Sequence, residues 1–485
     1  MQVLYQRCCG LDIHKKLMVA CLLIWTSQGV RKEIRTFSTM LDDLFRLRDW
    51  LKANDCQVVA MESTGVYWKP IWNVLEAELE LLLVNAQHLK AVPGRKTDVK
   101  DAEWIADLLQ HGLLRASFVP PRPQRELREL TRYRTKLVEE RARLVNRIQK
   151  VLEDSHVKLA SVATDITGVS GRAILNALLD GQDDPEALAE LARGRMRSKR
   201  EELAQAVQGT LREHHRFLLK SQLRQLDFFD AQISELDQEI ARRLGVESGP
   251  DELGPLGSGS AAVNRFEEEK GTIPDEPGPL GGGSASERAV PSLGHASEGA
   301  ERPEQPGAKH EPARQMSQAE ARRILDEVTG SNRRIAEIVL AELGTRLDQF
   351  PSEAHLASWA GLCPAARISA GKRLSTKTGK GNRRLRQALI EAAHGAARSK
   401  NTFLGAYYQR LKKRMGSKKA IVALAHRILI ILYHLLKEQQ SDREPGPGHA
   451  DEQAADSSKR WAIRRLEQLG FAVTLTPKDH QEGVA

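Results

Sequence analysis

The stretch QRCCGLDIHKKLMVACLLIWTSQGVRKEIRTFS, Gln6 to Ser38, decides the N-terminal fold. Its apolar runs QRCCGLDIH and LMVACLLIW are joined through two lysines, the pattern of two buried extended segments meeting at a short connection. After Gly29 the segment KEIRTFS is a third extended run. LDDLFRLRDWLKAN then carries apolar residues at helical spacing. CQVVAMES is a fourth strand, GVYWKPIWNVLEAEL a helix, ELLLVN a fifth strand, and Asp98 to Gln110 a further helix.

Three meandering strands followed by alternating helix and strand is the order of an α/β RNase H-like sheet, predicted here over residues 1–118. That order gives four acids a meaning. Asp12 lies near the centre or end of the first strand and Glu62 ends the fourth, and in such a sheet these strands are neighbours. Asp98 and Asp101 follow on a helix that would cross their edge; three residues advance a helix by about 300°, leaving the two side chains about 60° apart on one face. Taken alone, acids in a first helical turn are explained by the macrodipole and the free amides they offset. Four converging carboxylates are another matter, because like charges so close take up protons unless a divalent cation bridges them. Two Mg²⁺ ions about 4 Å apart would do so and would assist in-line phosphoryl transfer. Asp12, Glu62, Asp98 and Asp101 are therefore the candidate catalytic acids and metal ligands, with Arg95 and Lys96 just before them as candidate nucleic-acid contacts.

The 485 residues have room for roughly two to four domains. The formal charge of +9 understates the basicity of the folded parts, since Val246 to Gln315 holds thirteen Asp/Glu against six Lys/Arg, leaving +16 on the remainder. A surplus of that size suits a polyanion. Cys8, Cys9, Cys21, Cys56 and Cys363 form no CxxC pair and no zinc-finger spacing, which fits a reducing, cytoplasmic setting. No signal peptide is recognised, and the longest apolar run, AIVALAHRILIILYHLL from Ala420 to Leu436, is broken by His426, Arg427 and His434; it reads as a buried helix rather than a membrane span.

Residues 119–245 read as a helical, coiled-coil region: Leu127, Leu130, Leu137, Leu144, Ile148 and Val151 recur at heptad-compatible steps, as do Leu226, Phe229, Ile233, Leu236 and Ile240. The two stretches predict an antiparallel hairpin or an oligomerising coiled coil. Residues 246–315, rich in Gly, Pro, Ser and Glu, read as a disordered acidic linker. A mostly α-helical domain over 316–440 and a polar tail over 441–485 with a small docking element, KRWAIRRLEQLGFAVTLTP, complete the chain.

Within that helical domain the basic loop ARISAGKRLSTKTGKGNRRLRQAL, Ala366 to Leu389, intersperses cations with Gly, Ser and Thr, small residues that let a backbone approach phosphate. Lys372, Arg373, Lys377, Lys380, Arg383 and Arg384 are its candidate nucleic-acid contacts. Ser369 sits among them. A serine hydroxyl that attacks phosphorus conserves bond energy in a phosphoester, given help from a base or metal; on chemistry alone Ser375 and Ser358 are rivals.

The motifs GLDIHK at Gly10, MESTGVYW at Met61, KTDVKDAEWIADLL at Lys96 and LRELTRYRTKLVEERARLVNRIQKVLE at Leu127, then FPSEAHLASWAGLCP, SAGKR and KGNRRLRQALIEAA, occur in one order along nearly the whole chain. In these the chain resembles the insertion-sequence transposases of the IS one-ten family, bridge-RNA-guided recombinases akin to Piv-type DNA invertases. The resemblance implies a RuvC-like DEDD domain that holds Mg²⁺, a coiled coil, and a helical C-terminal domain whose serine forms a covalent link with DNA. Carried over by motif, the acids are Asp12, Glu62, Asp98 and Asp101 and the nucleophile is Ser369, five residues after Pro364. It further implies donor and target DNA as substrates, a structured non-coding guide RNA pairing with both, and a homo-oligomer, dimer to tetramer, in which acids of one protomer meet the serine of another. Action at the nucleoid of a prokaryotic cell belongs to the same picture. The chain departs from the family at EVTGSNRR, Glu327 to Arg334, where many members carry a helix-hairpin-helix turn of the type IPGVG, and in its acidic insertion.

Two other functions fit the same residues: a hydrolytic RuvC-like nuclease on branched DNA, with water as nucleophile, and a non-catalytic nucleic-acid-binding derivative of a transposase. His14 and Lys15 are placed either to touch a scissile phosphate or as a solvated strand end. Tyr67 and Trp68 read as core packing, and His394, His426 and His434, without metal-like partner spacing, as structural.

Overall fold

The computed structural model describes residues 3–27, 29–63, 65–85, 101–246, 316–363, 367–369, 372–375, 378–379, 381–442, 446, 459, 462–468 and 470–474. Arg95, Lys96, Asp98, Lys377, Lys380 and nearly all of the predicted acidic linker lie outside the described residues; in the predicted tail element residues 462–468 are helical, and its described residues are mostly exposed rather than docked. The chain divides into two compact units, Met1–Pro121 and Arg122–Ala485.

In the first unit β1 (Arg7–Ile13), β2 (Leu17–Thr26), β3 (Gly29–Ser38), β4 (Val58–Glu62) and β5 (Glu80–Val84) form one sheet of order β3-β2-β1-β4-β5. β1, β2 and β3 pair antiparallel, whereas β4 runs parallel to both β1 and β5. Helices α1 (Leu41–Ala53) and α2 (Trp68–Leu75) cover one face and α3 (Asp101–Gln110) the other. The alternation of strand side chains divides the residues accordingly. Cys9, Leu11, Ile13, Val59 and Met61 pack with Leu47, Leu51, Ile71 and Leu75, while Cys8, Val58, Ala60 and Val84 pack with Ala102, Ile105, Ala106 and Leu109. Burial on both faces is why the central strands are continuously apolar in sequence. The topology is consistent with the RNase H-like DEDD fold that the order of segments predicts.

The second unit is largely helical. Its long helices α4 (Arg122–Asp154) and α9 (Glu213–Arg243) pair antiparallel, as the cross-links Glu126–Arg243 at 2.6 Å, Arg134–Asp237 at 2.7 Å and Asp154–His215 at 2.9 Å require. Between them α5 (Leu159–Val162), α6 (Val169–Leu179), α7 (Pro185–Glu190) and α8 (Arg200–Ala206) enclose a core with Leu144, Ile148, Leu219 and Leu226. The apolar positions that resemble a heptad thus serve two cores. Leu127 and Ile240 belong to a different one, built by α10 (Gln318–Glu327), α11 (Arg333–Leu343), α12 (Glu353–Trp359), α13 (Arg383–Arg398), α14 (Phe403–Met415) and α15 (Ser417–Glu438). Helix α15 is long and apolar enough to cross a membrane, yet Leu424, Ala425, Ile428, Leu429 and Leu432 are buried in this core.

Two local features refine the sequence reading. Part of the basic loop is a two-stranded antiparallel hairpin, β6 (Arg367–Ser369) and β7 (Lys372–Ser375), with Ser369 paired to Lys372; a two-residue connection is the length that closes such a hairpin. At the turn between α10 and α11, Gly330 has φ +87° and a Cβ there would lie 2.3 Å from the Ala392 carbonyl oxygen. This glycine serves the close approach of the turn to α13.

Candidate active site

Register places the acids. β1 and β4 are paired as far as Leu11 opposite Met61, so Asp12 and Glu62 hold the next positions on adjacent parallel strands. Two residues beyond Gly10 and Ala60, both side chains fall on the face that α3 covers. Helix α3 crosses that face antiparallel to β1. Its Ala102 and Ala106 lie at Gly10, the Ala106 oxygen accepts from Cys8 Sγ at 3.7 Å, and the Gln110 oxygen accepts from the Leu4 amide at 2.8 Å. Its first residue, Asp101, therefore stands at the end of the sheet where Asp12 and Glu62 emerge.

Gly10 makes this approach possible. A Cβ at that position would lie 2.4 Å from the Ala102 oxygen and 2.4 Å from the Ala106 nitrogen, an overlap with helix backbone that no rotamer can relieve. The glycine of GLDIH is thus a spacer that seats α3 against the strand bearing Asp12.

Asp12 and Glu62 are half-buried and Asp101 is exposed. Asp12 Oδ2 lies 3.1 Å from His14 Nε2, its only partner among the described residues, and Asp101 has none. His14 therefore contacts an acid rather than standing as a bare strand end. Asp12, Glu62 and Asp101 bring carboxylates, hard donors that suit a divalent ion such as Mg²⁺, to one sheet end, but among the described residues their oxygens do not form a group within 4.8 Å of one another.

The serine and the basic contacts lie in the second unit, Ser369 at the end of β6, Lys372 and Arg373 on β7. Ser375 ends β7 and Ser358 lies near the end of α12. Arg383 and Arg384 open α13 behind Asn382, whose Oδ1 accepts from the Arg384 and Leu385 amides, both at 3.1 Å. Arg383 is exposed and has no partner among the described residues, whereas Arg384 Nη1 lies 3.4 Å from Glu139.

The remaining singled-out residues separate by environment. Trp68 packs edge-on against Trp72 at 5.8 Å, but Tyr67, one position earlier and outside the helix, stays exposed, which corrects its reading as core. His394 and His426 are pushed below the usual histidine range by burial, then by Arg398 and Arg427 respectively, which keeps both neutral. His434 Nδ1 lies 3.1 Å from Glu438 within its helix.

The sequence reading passed over a group whose potential ligand atoms lie within 4.8 Å of one another, Asp154, His214 and His215. Adjacent histidines beside a helix start were its only signal. The Arg212 amide donates to His215 Nδ1 at 3.3 Å, so Nε2 carries the proton and donates it to Asp154 at 2.9 Å. In that tautomer the buried nitrogen is a donor, and the group fastens the ends of α4 and α9.

Comparison with known families meets the chain at both ends. A family model described as a transposase of the DEDD type, IS110, matches residues 9–157, spanning Asp12, Glu62, Asp98 and Asp101. A second, described as the transposase IS116/IS110/IS902 family, matches residues 322–409, spanning the β6–β7 hairpin and the start of α13. No curated protein matches the chain.

Proposed function

Because the chain belongs to the IS110 family of insertion-sequence transposases, we propose that it cuts and exchanges DNA strands through a serine–phosphate intermediate. The observation that carries the reading is the placement of Asp12, Glu62 and Asp101 at one end and on one face of the sheet. With Asp98 they would hold Mg²⁺; bound there, the ion would offset charge on the scissile phosphate.

The chain's own residues supply the covalent chemistry. Ser369 Oγ attacks phosphorus and releases its hydroxyl proton to water. The new Oγ–P bond forms as the bond to the deoxyribose oxygen breaks, and that oxygen leaves as a hydroxyl. Attack by a second strand's hydroxyl on the phosphoserine reverses these changes, so the bond energy is conserved and strands rejoin. Arg95, Lys96, Lys372, Arg373, Lys377, Lys380, Arg383 and Arg384 would hold the DNA backbone. The resemblance supports a structured guide RNA that pairs with donor and target DNA, and a dimer-to-tetramer assembly.

The test is a labelled DNA substrate carrying the element's ends, incubated with protein, co-purified RNA and Mg²⁺, and resolved on a denaturing gel. A covalent protein–DNA band is expected from the wild type and is absent from Ser369→Ala, Asp12→Ala and Asp101→Ala. An intact band in Ser369→Ala defeats the serine assignment; cleaved DNA without any adduct indicates the hydrolytic nuclease instead.

A further inference from the structure

We infer that the basin between α4, α12 and α13 is a phosphodiester-binding site, an inference that rests on the DNA-acting function proposed above and adds to it two arginines of α4. The basin is an open cavity of about 550 Å³ into which Arg128 and Arg132 project from α4 and Arg383 and Arg384 from α13, with Ser358 and Trp359 of α12 on the third side. No acid lines it. Four guanidinium groups around one cavity repel each other and gain from an anion placed among them.

The cations are held in place from behind. Glu342, 1% exposed, takes a two-pronged contact from Arg132, Nε and Nη2 both at 2.8 Å, and Arg128 Nε donates to the Ala341 oxygen at 2.8 Å. These bonds occupy one edge of each guanidinium and fix its plane, so a bound phosphate need not order two long side chains. Glu342 and Glu139 offset two of the four charges, and Arg383 remains unpartnered among the described residues. Burial pushes Arg128 down to about 10, against the pull of Glu342, with the charge of Arg132 adding a smaller part.

The helix end itself is not the seat. Asn382 Oδ1 already accepts from the Arg384 and Leu385 amides, so the guanidinium groups must supply the contacts. Trp359, half-buried against Phe350 at 5.3 Å, offers an apolar wall beside the cations, suited to the sugar or base next to a backbone phosphate.

The test is fluorescence anisotropy with two probes, a DNA duplex and a single-stranded RNA, across a salt series. The variants are Arg383→Gln, Arg132→Gln and, as control, Arg346→Gln, whose exposed side chain pairs with Asp348 away from the basin. Each phosphate contact contributes about 0.9 to the slope of log K against log salt on duplex DNA and about 0.7 on a single strand, so losing one lowers affinity about five-fold at physiological salt. That loss, closing towards high salt, is expected for Arg383→Gln and Arg132→Gln but not for Arg346→Gln. A loss with DNA alone assigns the basin to DNA, with RNA alone to RNA, and with both to their shared backbone. If Arg132→Gln misfolds, Arg132→Lys, which keeps a charge opposite Glu342 but loses the fork, takes its place and should still weaken binding. Unchanged affinity and slope in both basin variants, against a wild type that binds, overturns the basin and leaves the proposed function standing. A wild type that binds neither probe overturns both.

Discussion

Replacing Arg134 with Met probes the junction where α4, α9 and α11 meet. Arg134 is 2% exposed, Asp237 3% and Glu337 0%, and the Arg134 Nη1 donates to Asp237 Oδ1 at 2.7 Å and to Glu337 Oε2. Burial alone would disfavour the guanidinium charge, but Glu337 and Asp237 hold it protonated. Methionine fills much of the space while removing two charge-assisted bonds, each contributing about 1.5–3 kcal/mol. It also leaves two buried carboxylates close together. Breaking a buried pair from one side costs about 3–5 kcal/mol. Arg333, 2.9 Å from Glu337, and Arg334, 2.8 Å from Asp237, remain to share the acids. The loss is therefore placed at the low end, about 3 kcal/mol. At about 2–4 °C per kcal/mol for a large helical domain, the transition followed by far-UV circular dichroism should fall by about 6–12 °C. Adding Glu337→Gln and Asp237→Asn should recover part of that shift, because the uncompensated charge is then gone. A shift in Arg134→Met below about 2 °C would refute the reasoning, since the acids would then be stable without their central cation.

Other expectations follow from the first unit. Gly10→Ala forces α3 away from β1; a melting temperature lowered by at least a few degrees, together with loss of Mg²⁺-dependent cleavage, is expected, and full activity in this variant would contradict the seating of α3 by Gly10. The thiols make a pH prediction. Burial pushes Cys8 and Cys56 up to about 12 and Cys21 up to about 11, with neighbouring thiols and Asp107 adding to Cys8 and Glu103 to Cys21. Folded values above unfolded ones mean that this contribution to stability is complete below the ordinary thiol range, near 9, and is lost as pH rises towards the folded values. Urea midpoints should therefore fall above about pH 9, and Cys→Ala at position 56 should flatten that limb. With an alkylating reagent at neutral pH, Cys363, half-buried, should label first while Cys8, Cys9, Cys21 and Cys56 wait for unfolding.

The strand order was legible because it is written in local terms. The runs around Cys8, Met18 and Val59 are apolar over lengths that only strands covered on both faces use, and the acids at their ends could be named before any contact was known. Ser369 and Arg383 were legible as chemistry, from residue type and small neighbours. Tyr67 was misjudged because an aromatic beside a helix start carries the same local signal whether it turns inward or outward. The hairpin in the basic segment escaped notice because its cations hide the alternation that marks a strand.

By itself, then, the sequence determined which segments of the first unit are extended or helical, which acids stand at strand ends, and where positive charge collects, because each depends on neighbours within a few residues. The tertiary structure alone decided that α3 runs antiparallel to β1 and brings Asp101 to the end of Asp12 and Glu62, since that direction rests on the missing side chain of Gly10 and the backbone of Ala102. It also decided that Arg134 is buried between two acids and that Arg128 and Arg132 face Arg383 across a cavity. A charged residue on an amphipathic helix looks the same in sequence whether water or another helix lies opposite. Only the fold, joining positions more than two hundred residues apart, settles which one it meets.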